Sequence, residues 1–177
     1  MILHYFKSKQ NKENIIAKNI YIQIINTNKR IVSNGILFNK NYFNLAFEIN
    51  TLLLFCFFFG TKNNHNKINK KICQELMNLF TDDLDNSFRI NGVGDMKIGK
   101  HVKKTVNKFY FRVKKLENIF QDNSFENFEK YMINLNIIDI SKSNTEKVRY
   151  LFKNCKELIV RSEKNEINKS ILNKLFI

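Results

Sequence analysis

The chain has 177 residues, 44% hydrophobic and 26% charged, which excludes a disordered polypeptide and suits one domain with a sizeable core. With 30 Lys and Arg against 16 Asp and Glu, the formal net charge is +14, which points to an anionic partner: nucleic acid, a ribosome or an anionic lipid surface. The three cysteines, Cys56, Cys73 and Cys155, are odd in number and far apart, which argues against a disulfide framework or a zinc site.

The chain contains no proline, so no helix interior is broken by one. Met1 to Phe6 is apolar but too short for the hydrophobic region of a signal peptide, and lysines follow it rather than precede it. Lys12 to Thr27 reads as a helix with Ala17, Tyr21, Ile24 and Ile25 on one side. A loop containing Gly35 follows. Tyr42 to Phe59 is hydrophobic nearly all round, which marks a buried central helix. Its run Leu52 to Phe59 falls short of the ~20 apolar residues that a spanning helix needs, and Glu48 and Asn50 interrupt it upstream. Gly60 to Asn66 reads as a polar loop. Lys67 to Ile90 carries Ile72, Leu76, Phe80, Leu84 and Phe88 on a seam at spacing four.

The next helix has the most definite chemistry. Ile98, Val102, Val106, Phe109, Val113, Leu116 and Phe120 fall in one stripe at ~100° per residue. The other side carries Lys97, Lys100, Lys104, Asn107, Lys108 and Lys115 around Phe111, with Lys103, Arg112 and Lys114 at the flanks. A face that only solubilises is usually mixed in sign, and this one has almost no acid between Lys97 and Lys115. A solvated face remains the alternative. Asp95 is the expected N-cap, and Gly92 and Gly94 fit a turn that needs positive φ or close backbone approach. Val102, Val106 and Val113 are expected to be buried with Phe80, Leu84 and Phe109. A shorter helix, Ser124 to Asn134, opens at Ser124 and Glu126. Thr145 to Val160 places Val148, Leu151, Phe152, Cys155, Leu158 and Ile159 on one face, and Glu163 to Phe176 closes the chain. No clean period-two run appears. The expected fold is an all-α multi-helix bundle, one domain over residues 1–177, with its core at about 12–120 and C-terminal helices over 124–176.

Catalytic and ligand-binding motifs fare poorly. Gly94 to Lys100 satisfies G-x-x-x-x-G-K, but His101 stands where a phosphate loop needs Ser or Thr for magnesium. The segment before it is helical rather than a strand. The run ending at Asp139 imitates a second nucleotide motif without a sheet to carry it. Asp82, Asp83 and Asp85 lack calcium-loop spacing and are expected to pair with the basic helix or to be solvated. His4, His65 and His101 have no companion at ligand spacing. No cofactor, metal, small-molecule substrate or catalytic arrangement is expected.

The segment FTDDLDNSFRINGVGDMKIGKHVKKTVNKFYFR resembles the signature of the ubiquinol–cytochrome c chaperone family, assembly factors of the cytochrome bc1 complex. The positions that carry the resemblance are Phe80, Asp83, Asp85, Arg89, Gly92, Val93, Gly94, Asp95, Gly99, Lys100, Val102, Lys103, Lys104, Phe109, Tyr110 and Arg112. Phe111 departs from it, standing where a small residue is expected. The apolar helix Tyr42 to Phe59 is similar to the family's hydrophobic helix.

The resemblance implies a non-enzymatic chaperone for nascent cytochrome b, at the inner membrane of a bacterium or on the matrix side in mitochondria. It also implies ribosome binding and, in mitochondria, a small partner protein. Residues expected to bind a partner, rRNA phosphate or anionic lipid are Lys97, Lys100, Lys103, Lys104, Lys108, Phe111, Arg112 and Lys115. Asp85, Arg89, Gly92, Gly94, Asp95 and Gly99 are expected to build the turn. The alternatives are a basic all-α nucleic-acid-binding protein and a peripheral membrane protein held by the basic helix.

Overall fold

The computed structural model describes residues 12–33, 42–62, 67–138 and 142–164. Among them are six α-helices and no strand. They are α1 (Lys12–Ser33), α2 (Tyr42–Thr61), α3 (Lys67–Ile90), α4 (Asp95–Gln121), α5 (Phe125–Asn134) and α6 (Lys142–Glu163). The all-α expectation holds. The Gly35 loop, His4, His65, Asp139 and the closing helix beyond Lys164 lie outside the described residues.

The neighbours of each helix define two packed groups that share a wall. In the first, α1 packs on α2 and α3, and α4 packs on α2 and α3. In the second, α6 packs on α2 and α5, and α5 also packs on α4. α2 and α4 belong to both groups, so α2 is covered on most sides. This is why its sequence lacks a polar face: it is buried continuously from Phe47 to Phe57. By length and composition α2 could cross a membrane, at 20 residues and mean hydropathy 1.6, yet 72% of the window is buried within the fold.

Phenylalanine fills both groups. In the first, Phe47 and Phe80 meet across the diagonal at 6.3 Å between ring centroids, and Phe80 lies 5.1 Å from Phe109. In the second, Phe120 contacts Phe55 at 5.3 Å and Phe152 at 5.0 Å, and Phe128 closes the cluster 5.1 Å from Phe152. Such rings contribute large buried areas and pair geometries beyond area alone. The apolar stripe of α4 serves both groups. Ile98, Phe109, Leu116 and Phe120 are buried, whereas Val102, Val106 and Val113 are only half-buried at its edge.

Gly60 is not in a loop but in the last turn of α2, and it sets how closely α6 approaches. A Cβ there would stand 2.3 Å from the Ile159 carbonyl oxygen and 2.6 Å from the Ser162 Cβ. Only hydrogen fits, so glycine is required by packing rather than by backbone conformation.

Candidate binding face of the basic helix

The turn between α3 and α4 is built almost entirely by the residues that mark it in the sequence. α3 ends in a Schellman motif: Val93 N–H donates to the Phe88 carbonyl at 3.0 Å, and Gly92 N–H to the Arg89 carbonyl at 3.0 Å. Gly92 takes φ of 78°, the left-handed region that favours glycine. Two expectations are corrected here. Gly94 is extended, with φ of −61°, and a side chain there would meet nothing within 4 Å. Gly94, not Asp95, is the N-cap; Asp95 is the first residue of α4 and makes no cap bond. Its carboxylate instead accepts from Arg89 Nη1 at 2.5 Å, while Arg89 Nε reaches Asp85 at 2.6 Å. Arg89 thus ties the end of α3 to the start of α4. Asp85, with Asp95 behind it, holds the guanidinium pKa above its ordinary value. Gly99 lies exposed on α4 with open space around it.

This geometry also changes the reading of the acidic cluster. Asp85 pairs within its own helix, and Asp83 accepts from the Tyr21 hydroxyl of α1 at 2.9 Å. Neither carboxylate is paired with the basic helix. Burial and then the Asp83 charge push the Tyr21 pKa far up, so the hydroxyl stays a donor.

Beyond the turn, α4 presents Lys97, Lys100, Lys103, Lys104 and Lys114 to solvent, and none of them makes an ion pair among the described residues. Phe111 stands in this row 53% exposed, with Lys115 Nζ 4.7 Å and Arg112 Cζ 5.9 Å from its ring centroid. A large aromatic ring set among unpaired lysines can stack on a base or sit at a lipid interface, while the lysines engage phosphates.

A family model described as Ubiquinol-cytochrome C chaperone matches residues 38–139, more than half of the chain. The chain belongs to that family. The matched region covers α2 to α5; α1 and α6 lie outside it. No curated protein and no solved structure matches the chain.

In this chaperone, two residues expected to bind a partner, Lys108 and Arg112, turn inward. Lys108 Nζ lies 2.8 Å from Glu48 Oε1 of α2, and Arg112 Nε lies 3.1 Å from Oε2. Arg112 Nη2 adds a third contact at 3.2 Å. The physical reason is Glu48 itself: its side chain is 5% exposed, and a buried carboxylate needs a cation. At ~100° per residue, Lys108 and Arg112 sit between the outward row and the apolar stripe, within reach of α2. Lys108 also lies over Phe47, 4.4 Å from its centroid. Tyr131 of α5 closes the neighbourhood; burial and then the Glu48 charge push its pKa up, and Arg112 pulls it back. Arg112 is therefore structural in this fold, and Lys108 only partly available.

Sequence reasoning noted Glu48 only as an interruption of an apolar run. A lone carboxylate in that setting, with Lys108 and Arg112 one turn apart on the family's signature helix, was the signal that could have paired them. It also missed the Asn28–Asn50 contact between α1 and α2, where Asn28 Nδ2 donates to the Ala46 carbonyl at 2.8 Å and to Asn50 Oδ1 at 2.5 Å. These residues line a cavity of about 740 Å³ between α1, α2 and α3. A smaller groove of about 370 Å³ opens between α3 and α4 beside the end of α2. Among the described residues, no group of three His, Cys, Asp or Glu is placed to hold a metal.

Proposed function

We propose that this member of the ubiquinol–cytochrome c chaperone family acts without catalysis as an assembly factor for the cytochrome b subunit of the bc1 complex. It receives newly made cytochrome b and is recruited to an anionic surface, ribosomal RNA or the inner-membrane leaflet, by the outer face of α4. Its site of action is then the cytoplasmic side of a bacterial inner membrane, or the matrix side in an organelle. The client is a protein, joined where needed by a small partner protein, with no small-molecule substrate. The observation that carries recruitment is the row of solvent-facing, unpaired lysines around Phe111, on the helix that bears the family's signature.

Co-sedimentation with ribosomes and with anionic vesicles across a salt series tests the recruitment step. Each lysine near an anionic surface contributes about 1 kcal/mol, so reversing Lys97, Lys100 and Lys104 to Glu should weaken binding by more than about tenfold. With RNA as partner, log affinity should fall steeply with log salt, less so in the variant. Unchanged co-sedimentation of the variant with both would remove the recruitment step. Crosslinking during translation tests the client: recovery of nascent cytochrome b is the expected result, and its absence refutes that assignment.

A further inference from the structure

The groove between α3 and α4 is separate from the outward lysine row. Its floor is apolar and soft: Phe58 from α2, Cys73 and Met77 from α3, and Val113 from α4 are all half-buried. Behind it Phe109 stands edge-on to Phe58 at 6.4 Å and to Tyr110 at 5.5 Å, so the aromatic wall is fixed by the core. Tyr110 is 56% exposed although it lines this groove, which leaves one aromatic face without a partner. The volume, about 370 Å³, lies in the ~300–1,000 Å³ range of binding sites and suits the side-chain ridge of one helix. Flexible thioether and thiol side chains in the floor let it adapt to ridges of different shape.

The rim decides the partner's charge. Lys62 and Lys70 flank the opening. Lys62 meets Glu117, but Lys70 makes no ion pair among the described residues. A basic amphipathic segment would be repelled here. We infer that this groove receives an amphipathic helix of another protein, its apolar ridge on Phe58, Met77, Tyr110 and Val113 and its acidic flank against Lys70. The inference deepens the chaperone reading, on which it rests for the occupant being a protein, by naming a contact surface apart from the one proposed for recruitment.

Cys73 provides the readout, because Cys56 and Cys155 are fully buried and only Cys73 borders the groove. The full-length chain is labelled with a small maleimide in the presence of a synthetic helix bearing leucines on one face and glutamates on both flanks. A second peptide carries lysines in place of the glutamates. The acidic peptide should slow Cys73 labelling and bind about tenfold tighter than the basic one. Lys70→Glu should weaken it about fivefold, and Tyr110→Asp more than that, with the helical circular dichroism unchanged. Should Tyr110→Asp unfold the chain, Met77→Lys replaces it. Ribosome and vesicle co-sedimentation should be unaffected by Met77→Lys, so failure here and failure of recruitment are distinguishable. Equal protection by both peptides, or none, overturns the inference. It falls equally if Cys73 in the free chain is as unreactive as Cys56 and Cys155, since the groove is then already filled.

Discussion

Replacing Glu48 with Leu should be among the most damaging single changes that leave the apolar core intact. The side chain is 5% exposed and neutralises two cations from α4, Lys108 at 36% exposure and Arg112 at 17%. Breaking a buried pair by removing one member typically costs ~3–5 kcal/mol, because the remaining charge is stranded. Lys108 can swing to water and keep its place over Phe47, whereas Arg112 cannot, so the lower end, about 3 kcal/mol, applies. For a chain of this size that lowers Tm by roughly 6–12 °C. Urea unfolding followed by circular dichroism should show a lower midpoint with an unchanged slope. Glu48→Gln, which keeps acceptor atoms, should be milder. Replacing Glu48, Lys108 and Arg112 together with Leu, Met and Leu should restore much of the loss, because well-packed apolar substitutes for a buried ion cluster are often neutral or better. If Glu48→Leu alone loses less than about 1 kcal/mol, the cations reach solvent freely and the inward placement of Arg112 is wrong.

Gly60→Ala places a methyl group against the Ile159 carbonyl and Ser162, so unfolding experiments should show a loss of at least ~1–3 kcal/mol, with Gly60→Val worse. Gly92→Ser should cost ~1–2 kcal/mol for its left-handed backbone, while Gly94→Ser, at an extended N-cap, should stay within ~0.5 kcal/mol or stabilise; equal losses at the two would contradict the turn geometry. Ser124, whose hydroxyl accepts from Asn127 N–H at 3.2 Å, should cost ~0.5–2 kcal/mol when changed to Ala. Asp95→Ala, at an exposed position without a cap bond, should leave the thermal midpoint nearly unchanged.

The helices were legible because their seams are strong: α3 has the predicted limits, and α4 and α5 nearly so. The ends that shifted are those of α1, α2 and α6, the last running over Lys142–Glu163 rather than Thr145–Val160. α1 runs on to Ser33, and α2 absorbs Gly60 because its small size is needed against α6, which no local pattern reveals. The turn was legible in its residues but not in their roles. Gly92 bends as expected, while Asp95 leaves the cap to Gly94 and pairs with Arg89, a choice that depends on where α3 ends. On the candidate face, the period placed Lys97, Lys100 and Lys104 outward, as found. It could not place Lys108 and Arg112, because that requires knowing that α2 crosses beside them with a carboxylate at the same height. The α3–α4 groove was not legible either, since half-buried Met77 and exposed Tyr110 read from sequence as ordinary members of two helices.

α2 poses a sorting decision while the chain is being made. Once synthesised, and before α4 exists, it is a 20-residue apolar segment that meets the length and composition of a membrane span. A charged group at the centre of such a segment counts against insertion by ~2.5–3.5 kcal/mol, and less toward its ends. Glu48, off-centre in α2 with Asn50 two residues on, supplies part of that penalty during the interval when its later partners are not yet made. The same carboxylate therefore has two successive roles. Early, unpaired, it disfavours passage into lipid; later, once α4 folds back, Lys108 and Arg112 hold it in the protein interior. The fold thus carries a span-like helix whose single carboxylate disfavours lipid until its partners are made and is released from that cost only when the fold is complete.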